Sequence, residues 1–141
     1  MLQLPRVLYE EIVSHCHREH PKEACGILAG RGGDLVPVGE ERRVVEVYPM
    51  SNVEDSPIGY SMDPREQLTL DKQMRARRQQ MLGIHHSHTA SDAYPSPVDV
   101  GLAISPEISY VLVSLKDRDR PIVRSYRIDG ATVIEEEIFR V

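Results

Sequence analysis

Apolar residues recur along this chain with two different periods, one typical of helices and the other of strands. Between Leu4 and about Arg18, the apolar residues Leu8, Ile12 and Cys16 would line one face of a helix. Elsewhere, short apolar runs are bounded by glycine, proline or aspartate, which is typical of strands. The pattern predicts helices at Leu4 to about Arg18, Asp63 to Arg78 and Pro97 to about Ala103, and strands at Glu23 to Ala29, Asp34 to Val47, Met81 to His88, Ser109 to Leu115, Pro121 to Ile128 and Thr132 to Phe139.

The boundaries of these elements carry local signals. The segment 63–66, Asp-Pro-Arg-Glu, combines an N-cap residue, a proline at the first helical position and a capping-box acid. Asp129-Gly130 predicts a tight hairpin turn in which the glycine supplies a positive φ. A glycine-rich turn at 31–33 and a loop from Pro49 to Tyr60 separate further elements. Helices flanking one mixed sheet would form an α/β (α+β) domain of three layers.

Chain length and cysteine content favour a single domain without disulfides. At 141 residues and 16.0 kDa, we expect residues 1–141 to bury one sizeable core. Cys16 and Cys25 make no disulfide framework, so we expect both to be reduced and packed. Strand alternation places Cys25 on the same face as Glu23, near the candidate site described below, but we favour a structural role for it.

The charge balance excludes several classes of partner. A net charge of −5 and a pI near 5.7 argue against nucleic acid, which requires a basic surface. The cations of the one basic stretch, Lys72 to Arg78, are expected on the solvated side of a helix. No run approaches the ~20 apolar residues of a membrane span, and Met1–Pro5 does not read as a secretory signal. We therefore expect a cytoplasmic protein with no membrane partner.

A candidate metal site lies at the end of the predicted strand Met81 to His88. Side chains two residues apart share one face of a strand, so His86 and His88 point the same way and His85 points to the other face. Asp99 follows a Ser-Pro helix start and would project from the first helical turn. Two nitrogens and one oxygen leave a tetrahedral zinc one ligand short, which is the arrangement of a catalytic zinc.

Each of these residues also has a simpler interpretation. Ser96-x-x-Asp99 fits a capping box, in which both side chains bond backbone N–H groups. A single histidine on a strand is usually a hydrogen-bonded structural residue, and we assign that role to His85. The pair His86 and His88 favours a metal, because two polar rings on one face of an apolar strand need a common partner.

A second unusual residue lies near the N-terminus. Glu23 begins an otherwise apolar strand, where a carboxylate is expected only if it is solvated or functional. The two blocks read Pro-x-Glu-x-Cys-Gly-Ile-Leu-x-Gly (21–30) and His-x-His-x7-Ser-x2-Asp (86–99). Together they resemble the motifs of the JAMM (MPN+) zinc metalloprotease family, over nearly the whole chain. The resemblance implies a cytidine-deaminase-like MPN fold.

The resemblance also implies a role for each residue. Glu23 would be the general acid/base, Ser96 a donor to the developing oxyanion, and His86, His88 and Asp99 the ligands of Zn²⁺. The residue after the second histidine is Thr89, whereas proline is often found there in the family. With this departure, residues 86–100 together with 110–114 and 124–128 resemble the bacterial branch that hydrolyses the cysteine adduct of a ubiquitin-like sulfur-carrier protein.

The expected activity is hydrolysis of the amide after the C-terminal Gly-Gly of such a carrier, with release of cysteine. Trimming of carrier precursors is the closest alternative among enzymes, and a non-catalytic MPN scaffold that binds a protein partner is the alternative from another class. We expect no dedicated deubiquitinase, because no long insertions surround the motif. Cytidine deaminase chemistry is not favoured, because the chain has no Cys-x-x-Cys.

Overall fold

The computed structural model of the protein describes residues 1–32, 42–54 and 56–141. Its helices are α1 (Arg6–Glu19), α2 (Pro64–Ala76) and α3 (Pro97–Gly101). Its strands are β1 (Leu2–Leu4), β2 (Cys25–Arg31), β3 (Arg42–Arg43), β4 (Glu46–Met50), β5 (Gln79–His88), β6 (Ser109–Ser114), β7 (Ile122–Asp129), β8 (Thr132–Glu136) and β9 (Ile138–Arg140).

The main sheet has six strands in the order β4-β2-β5-β6-β7-β8. Among the described residues of this sheet, only β5 and β6 pair in parallel, and the crossover that a parallel pair requires carries α3. The other pairs in this sheet are antiparallel, so the sheet is mixed as predicted. The central position of β5 matters for function, because this strand carries the histidine pair.

Helices cover both faces of the main sheet. On one face, Ile12 and Cys16 of α1 pack in a core with Leu28 of β2 and Val111 of β6. On the other face, α2 contributes two buried apolar residues that pack on β2, with Leu70 and Met74 meeting Cys25 and Ile27. Since successive residues of a strand face opposite sides, these two cores lie on opposite faces. The predicted three-layer α/β architecture is therefore confirmed.

The expectation of one sheet was wrong, because a second sheet of three strands joins β3, β1 and β9 in parallel. The predicted N-terminal helix consequently begins at Arg6, and Leu2–Leu4 is a strand. The predicted final strand is likewise divided at Glu137, where the chain leaves the main sheet to pair with β1. These pairings join the two ends of the chain, so no local pattern reveals them.

The predicted strand Asp34 to Val47 is only partly covered, because residues 33–41 lie outside the described residues, as does part of the predicted glycine-rich turn. The described remainder forms β3 and β4, separated by Val44 and Val45. Strand β4 extends through Pro49 to Met50, which pairs with Cys25, so the predicted loop starts later than expected.

The local boundary signals had mixed outcomes. The Asp63 side chain accepts a hydrogen bond from the Arg65 N–H at 2.9 Å, which confirms the N-cap. The predicted capping box was wrong, because the Glu66 carboxylate accepts instead from the Ser51 N–H at 2.8 Å. Gly130 has a φ of 59° in the β7–β8 hairpin, as predicted.

Three expectations about composition can also be compared with the structure. The cations between Lys72 and Arg78 are exposed, as predicted. Cys16 and Cys25 are both free and buried. Within the described residues, no helix combines the length and apolar content needed to cross a membrane.

Candidate active site

Strand β5 delivers two histidines to one face of the main sheet. His86 and His88 are both buried, and their rings lie 5.1 Å apart, centroid to centroid. His85 points to the opposite face, where its Nε2 lies 3.1 Å from Nδ1 of His15 in α1. The alternation predicted for this strand is therefore observed, and His85 has a structural partner.

Asp99 reaches the histidine pair from the first turn of α3. Its Oδ2 lies 3.2 Å from Nε2 of His86 and 3.0 Å from Nε2 of His88. One ligand atom from each of the three residues falls within 4.8 Å of the others. The structure thus brings together the three residues that the sequence spacing predicted as metal ligands.

Ser96 and Asp99 also form the capping box of α3. The Ser96 Oγ accepts from the Asp99 N–H at 3.1 Å, and Asp99 Oδ2 accepts from the Ser96 N–H at 2.8 Å. The local interpretation and the metal interpretation of this motif therefore coexist. Because a hydroxyl carries one donor as well as its acceptor sites, the Ser96 proton stays available to another acceptor.

Glu23 lies just before β2, level with His88 on the neighbouring strand. The antiparallel register pairs Cys25 with His86. Two residues further along, Glu23 therefore lies opposite His88. Its backbone is held on both sides, because its N–H donates to the Ser56 carbonyl at 2.9 Å and its carbonyl accepts from Asn52 Nδ2 at 2.9 Å. Only 6% of Glu23 is exposed.

The surroundings shift the proton affinities of these groups. Burial raises the pKa of Glu23 to about 7; the nearby His88 opposes this effect and the Asp99 carboxylate reinforces it. Burial opposes ionisation of Asp99, but the contacts with His86 and His88 hold its pKa well below its usual range. Glu23 is therefore suited to exchange a proton near neutral pH, while Asp99 stays a carboxylate.

The two histidines differ in their second contacts. His88 Nδ1 lies 2.9 Å from the Asp92 carbonyl oxygen, which can only accept, so this nitrogen carries a proton and Nε2 faces Asp99. Burial lowers the pKa of His86 and outweighs the effect of Asp99, which favours a neutral ring. Although Nε2 of His86 lies 3.2 Å from Asp99 Oδ2, neither nitrogen of His86 makes a hydrogen bond with good geometry within the described residues. A buried imidazole nitrogen in this condition needs a ligand.

The loop between β4 and α2 supplies contacts to the candidate site that sequence reasoning missed. The Asn52 side chain spans this loop, donating to the carbonyls of Glu23 and Gly59 and accepting from the N–H groups of Glu54 and Ser61. Tyr60 packs its ring against His86 at 4.6 Å between centroids. An Asn in a predicted loop signals a turn, but nothing local reveals its contact with Glu23.

Two other residues of the motif blocks have structural contacts. Thr89 donates through its hydroxyl to the Pro57 carbonyl at 3.0 Å, joining the chain after His88 to the loop that holds Glu23. Cys25 donates to the Met50 and Ser51 carbonyls and is not part of the three-residue group. These contacts support the structural role expected for Cys25.

A cleft of about 290 Å³ adjoins the cluster. His86 and Asp99 form part of its wall. Most of the remaining wall is apolar and comes from the sheet and from the segments flanking α2 and α3: Ile27, Tyr60, Met62, Met81, Ile84, Leu102, Ile104, Tyr110, Leu112 and Ile128. An extended segment of a substrate could therefore lie against apolar surface while reaching the cluster.

The mixed sheet between helices and the His-x-His and Asp cluster at its centre define a class, the JAMM/MPN+ proteins. The chain belongs to the family described as prokaryotic homologs of the JAB domain, whose family model matches residues 5–129. Over 131 residues it is 45% identical to the CysO-cysteine peptidase of Mycobacterium tuberculosis, covering 93% of this chain and 85% of that protein.

Two further similarities extend this result. A probable TtuB-protein conjugate cleaving protease of Thermus thermophilus is 39% identical over 101 residues, which is 71% of this chain and 62% of that protein. The solution structure of a protein from Desulfitobacterium hafniense matches with a TM-score of 0.87 and 42% identity, covering 100% of this chain and 93% of that chain. Since the named relatives are a peptidase and a protease, they support a hydrolase activity for this chain.

Proposed function

We propose that this chain is a zinc-dependent peptidase whose residues 1–141 act as one domain. In this proposal it cleaves the amide after the C-terminal Gly-Gly of a ubiquitin-like sulfur-carrier protein and releases cysteine. The observation that carries the proposal is the convergence of His86, His88 and Asp99 beside the buried Glu23. The relative named as a CysO-cysteine peptidase supports the choice of cysteine as the leaving group.

The donor set fits a zinc ion. His86 Nε2 is buried, makes no hydrogen bond with good geometry among the described residues, and faces the same carboxylate oxygen as His88 Nε2. Two imidazoles and one carboxylate are a known ligand set of catalytic zinc. When bound, zinc acts as a Lewis acid and lowers the pKa of a water from ~16 to about 7. A fourth protein ligand would fill the coordination position that a catalytic zinc keeps for water.

Glu23 and Ser96 would manage the protons and the developing charge. The Glu23 carboxylate would accept a proton from the attacking water and then deliver it to the leaving amine nitrogen, so that water and amide become carboxylate and free amine. Its pKa of about 7 suits both directions of transfer. The Ser96 hydroxyl would donate to the oxyanion formed from the amide carbonyl, a contact whose loss typically costs ~3 kcal/mol of transition-state stabilisation.

The cleft supports a substrate with a slender, extended C-terminus. Its wall is largely apolar and includes His86 and Asp99 of the cluster, so apolar residues preceding the tail would bury surface while Gly-Gly reaches the reacting atoms. A methyl group added to the last glycine would meet the wall of such a site and displace the scissile amide. We therefore expect discrimination against alanine at that position.

The test uses a sulfur-carrier protein ending in Gly-Gly with cysteine attached by an amide to its last glycine. Incubation with the zinc-loaded enzyme should remove one cysteine residue, which intact-mass spectrometry detects directly. The same carrier with its last glycine changed to alanine should be cleaved much more slowly. Ubiquitin dimers should remain intact.

Glu23→Gln is the matched control, because it keeps the shape of the side chain and removes the proton acceptor. Its zinc content should match the wild type, while hydrolysis falls by ~10²-fold or more. Equal turnover by the variant would remove Glu23 from the mechanism. If the adduct survives while precursor tails or other conjugates are cut, the enzyme assignment stands and the cysteine substrate is wrong. Zinc binding without any cleavage would favour the scaffold.

A further inference from the structure

The chain between His88 and Ser96 is tied to the main sheet by two buried hydroxyl groups. Ser114, the last residue of β6, donates its hydroxyl to the Ser91 carbonyl at 2.6 Å. Tyr126 of β7 donates its hydroxyl to the Ala93 carbonyl at 2.5 Å. Both donors are almost fully buried. The backbone on each side of Asp92 is therefore attached to the sheet.

The residue between these two attachments carries the contact that orients His88. The Asp92 carbonyl accepts from His88 Nδ1 at 2.9 Å and from the Tyr94 N–H at 2.8 Å. The bond to Tyr94 fixes the orientation of the Asp92 carbonyl only relative to its own loop, because Tyr94 belongs to the same loop. The position of the carbonyl relative to the sheet, and hence to the His88 ring, depends on the contacts that join the loop to the sheet.

The other polar contacts of this part of the loop are weak. Lys116 and Asp92 approach to 3.5 Å, but their side chains are 64% and 85% exposed. An ion pair that is exposed to this extent contributes between about 0 and 1 kcal/mol. Hydrogen bonds from buried hydroxyls are better shielded from water, and loss of the Tyr126 bond leaves the carbonyl of the buried Ala93 without this partner. Ala93 also packs in one cluster with Leu112 and Tyr126, so the two hydroxyls are the principal polar attachments of residues 91–93.

We propose that Ser114 and Tyr126 are positioning residues that orient His88 for metal binding through the Asp92 carbonyl. This inference rests on the zinc site of the proposed function. Groups that fix the second nitrogen of a ligating histidine typically change metal affinity by ~10- to 100-fold. Here the effect reaches the ligand in two steps, from hydroxyl to loop carbonyl and from loop carbonyl to ring, and neither hydroxyl contacts the metal or the substrate.

The chain offers a matched control for each residue. Tyr48 of β4 also makes a hydrogen bond through its hydroxyl, donating to Gln79 Oε1 at 2.6 Å. Gln79 begins β5, at the end of the strand opposite to His88, so this contact does not touch the loop of Asp92. Ser125 is buried like Ser114, but its hydroxyl has no hydrogen-bond partner among the described residues. Each control loses the same atoms as its test variant.

The experiment measures the zinc dissociation constant by competition with a chromophoric chelator. Tyr126→Phe and Ser114→Ala should each bind zinc ~10-fold more weakly than the wild type, whereas the zinc affinity of Tyr48→Phe and Ser125→Ala should not change. The visible absorption of the cobalt-substituted protein reports ligand geometry and should change only in the two test variants. Thermal unfolding of the metal-free forms separates this effect from general destabilisation.

Two results would overturn the inference. One is zinc affinity within about twofold of the wild type in both test variants, since orientation by a second contact is worth more than that. The other is an equal loss of zinc affinity in a test variant and in its control, which would indicate a general packing effect. The wild type should hold one zinc per chain and His86→Ala with His88→Ala should hold none. If these baseline values fail, the zinc site itself is wrong.

Discussion

Asp99 serves local structure and the candidate site with the same carboxylate. Its Oδ2 accepts from the Ser96 N–H and also faces both histidine Nε2 atoms. The cap limits the rotamers of Asp99, so this carboxylate oxygen is held beside both histidines. A four-residue capping motif is common and would not by itself indicate catalysis. Here the motif indicates a candidate site because His86 and His88 lie beside its carboxylate.

The two roles of Ser96 can be separated at the residue scale by Ser96→Asp. Aspartate retains an acceptor for the Asp99 N–H and so preserves the cap, but it has no hydroxyl proton and adds negative charge beside the cluster. We expect a folded protein whose kcat is reduced by ~10²-fold or more. Steady-state kinetics and thermal unfolding measure the two effects independently.

Asp63→Ala is the control for loss of a cap alone, because Asp63 caps α2 and is not one of the cleft or cluster residues. It should cost ~1 kcal/mol of stability and leave kcat unchanged. A Ser96→Asp variant with normal kcat would show that Ser96 acts only as a cap.

At the scale of elements, the pairing of β2 with β5 positions the site. Gly26 lies opposite His85 in this pair, and the His85 ring occupies the space where a side chain would otherwise project. From there the ring reaches His15 of α1 at 3.1 Å. The same pairing sets Glu23 level with His88 on the other side of the sheet. A disturbance at Gly26 therefore reaches the strand that carries His86 and His88.

Gly26→Ala should destabilise the protein. A Cβ at this position would overlap Cε1 of His85, so the buried ring or the strand would have to move. Overpacking of this kind costs ~1–3 kcal/mol, and we expect that loss in chemical denaturation.

The matched control is Gly101→Ala at the end of α3, where an added Cβ meets nothing within 4 Å. Alanine favours helix over glycine, so we expect no loss and at most a gain of about 1 kcal/mol. Equal stability of Gly26→Ala and the wild type would mean that His85 has room to move and that the strand pair tolerates it.

At the scale of the whole molecule, two cores on opposite faces of one sheet must unfold together if the chain is one cooperative unit. Each core contains one cysteine: Cys16 lies in the core under α1 and Cys25 in the core under α2. Burial raises the pKa of both thiols to about 12. The reactive form is the thiolate, so both should be inert in the native protein.

Cys16→Ala and Cys25→Ala leave one thiol each and report the two cores separately. At neutral pH, neither variant should react with iodoacetamide in its native state. As denaturant is added, the remaining thiol of each variant should become reactive over the same concentration range in which circular dichroism shows that variant to unfold. The Cys16→Ala variant reports Cys25, and the Cys25→Ala variant reports Cys16. If Cys25 reacts at a denaturant concentration at which Cys16 is still protected, the α2 layer opens independently of the α1 layer.

The sequence by itself determined the features that depend on neighbouring residues. Apolar periodicity located α1, apolar runs located the strands that carry the site, and the single-residue spacing of His86 and His88 placed both rings on one face. Capping signals located Asp63 and Ser96 at helix starts. These features were predictable because helix and strand geometry relate residues only a few positions apart.

Tertiary structure decided the features that join distant parts of the chain. The second sheet pairs Leu2 with Ile138, and Glu66 turns from its helix to bond Ser51. Asn52 holds the backbone of Glu23, and Ser114 and Tyr126 hold the loop of Asp92. Such contacts leave no local pattern, because any buried hydroxyl or amide will bond whichever unpaired backbone group the packed sheet brings within reach.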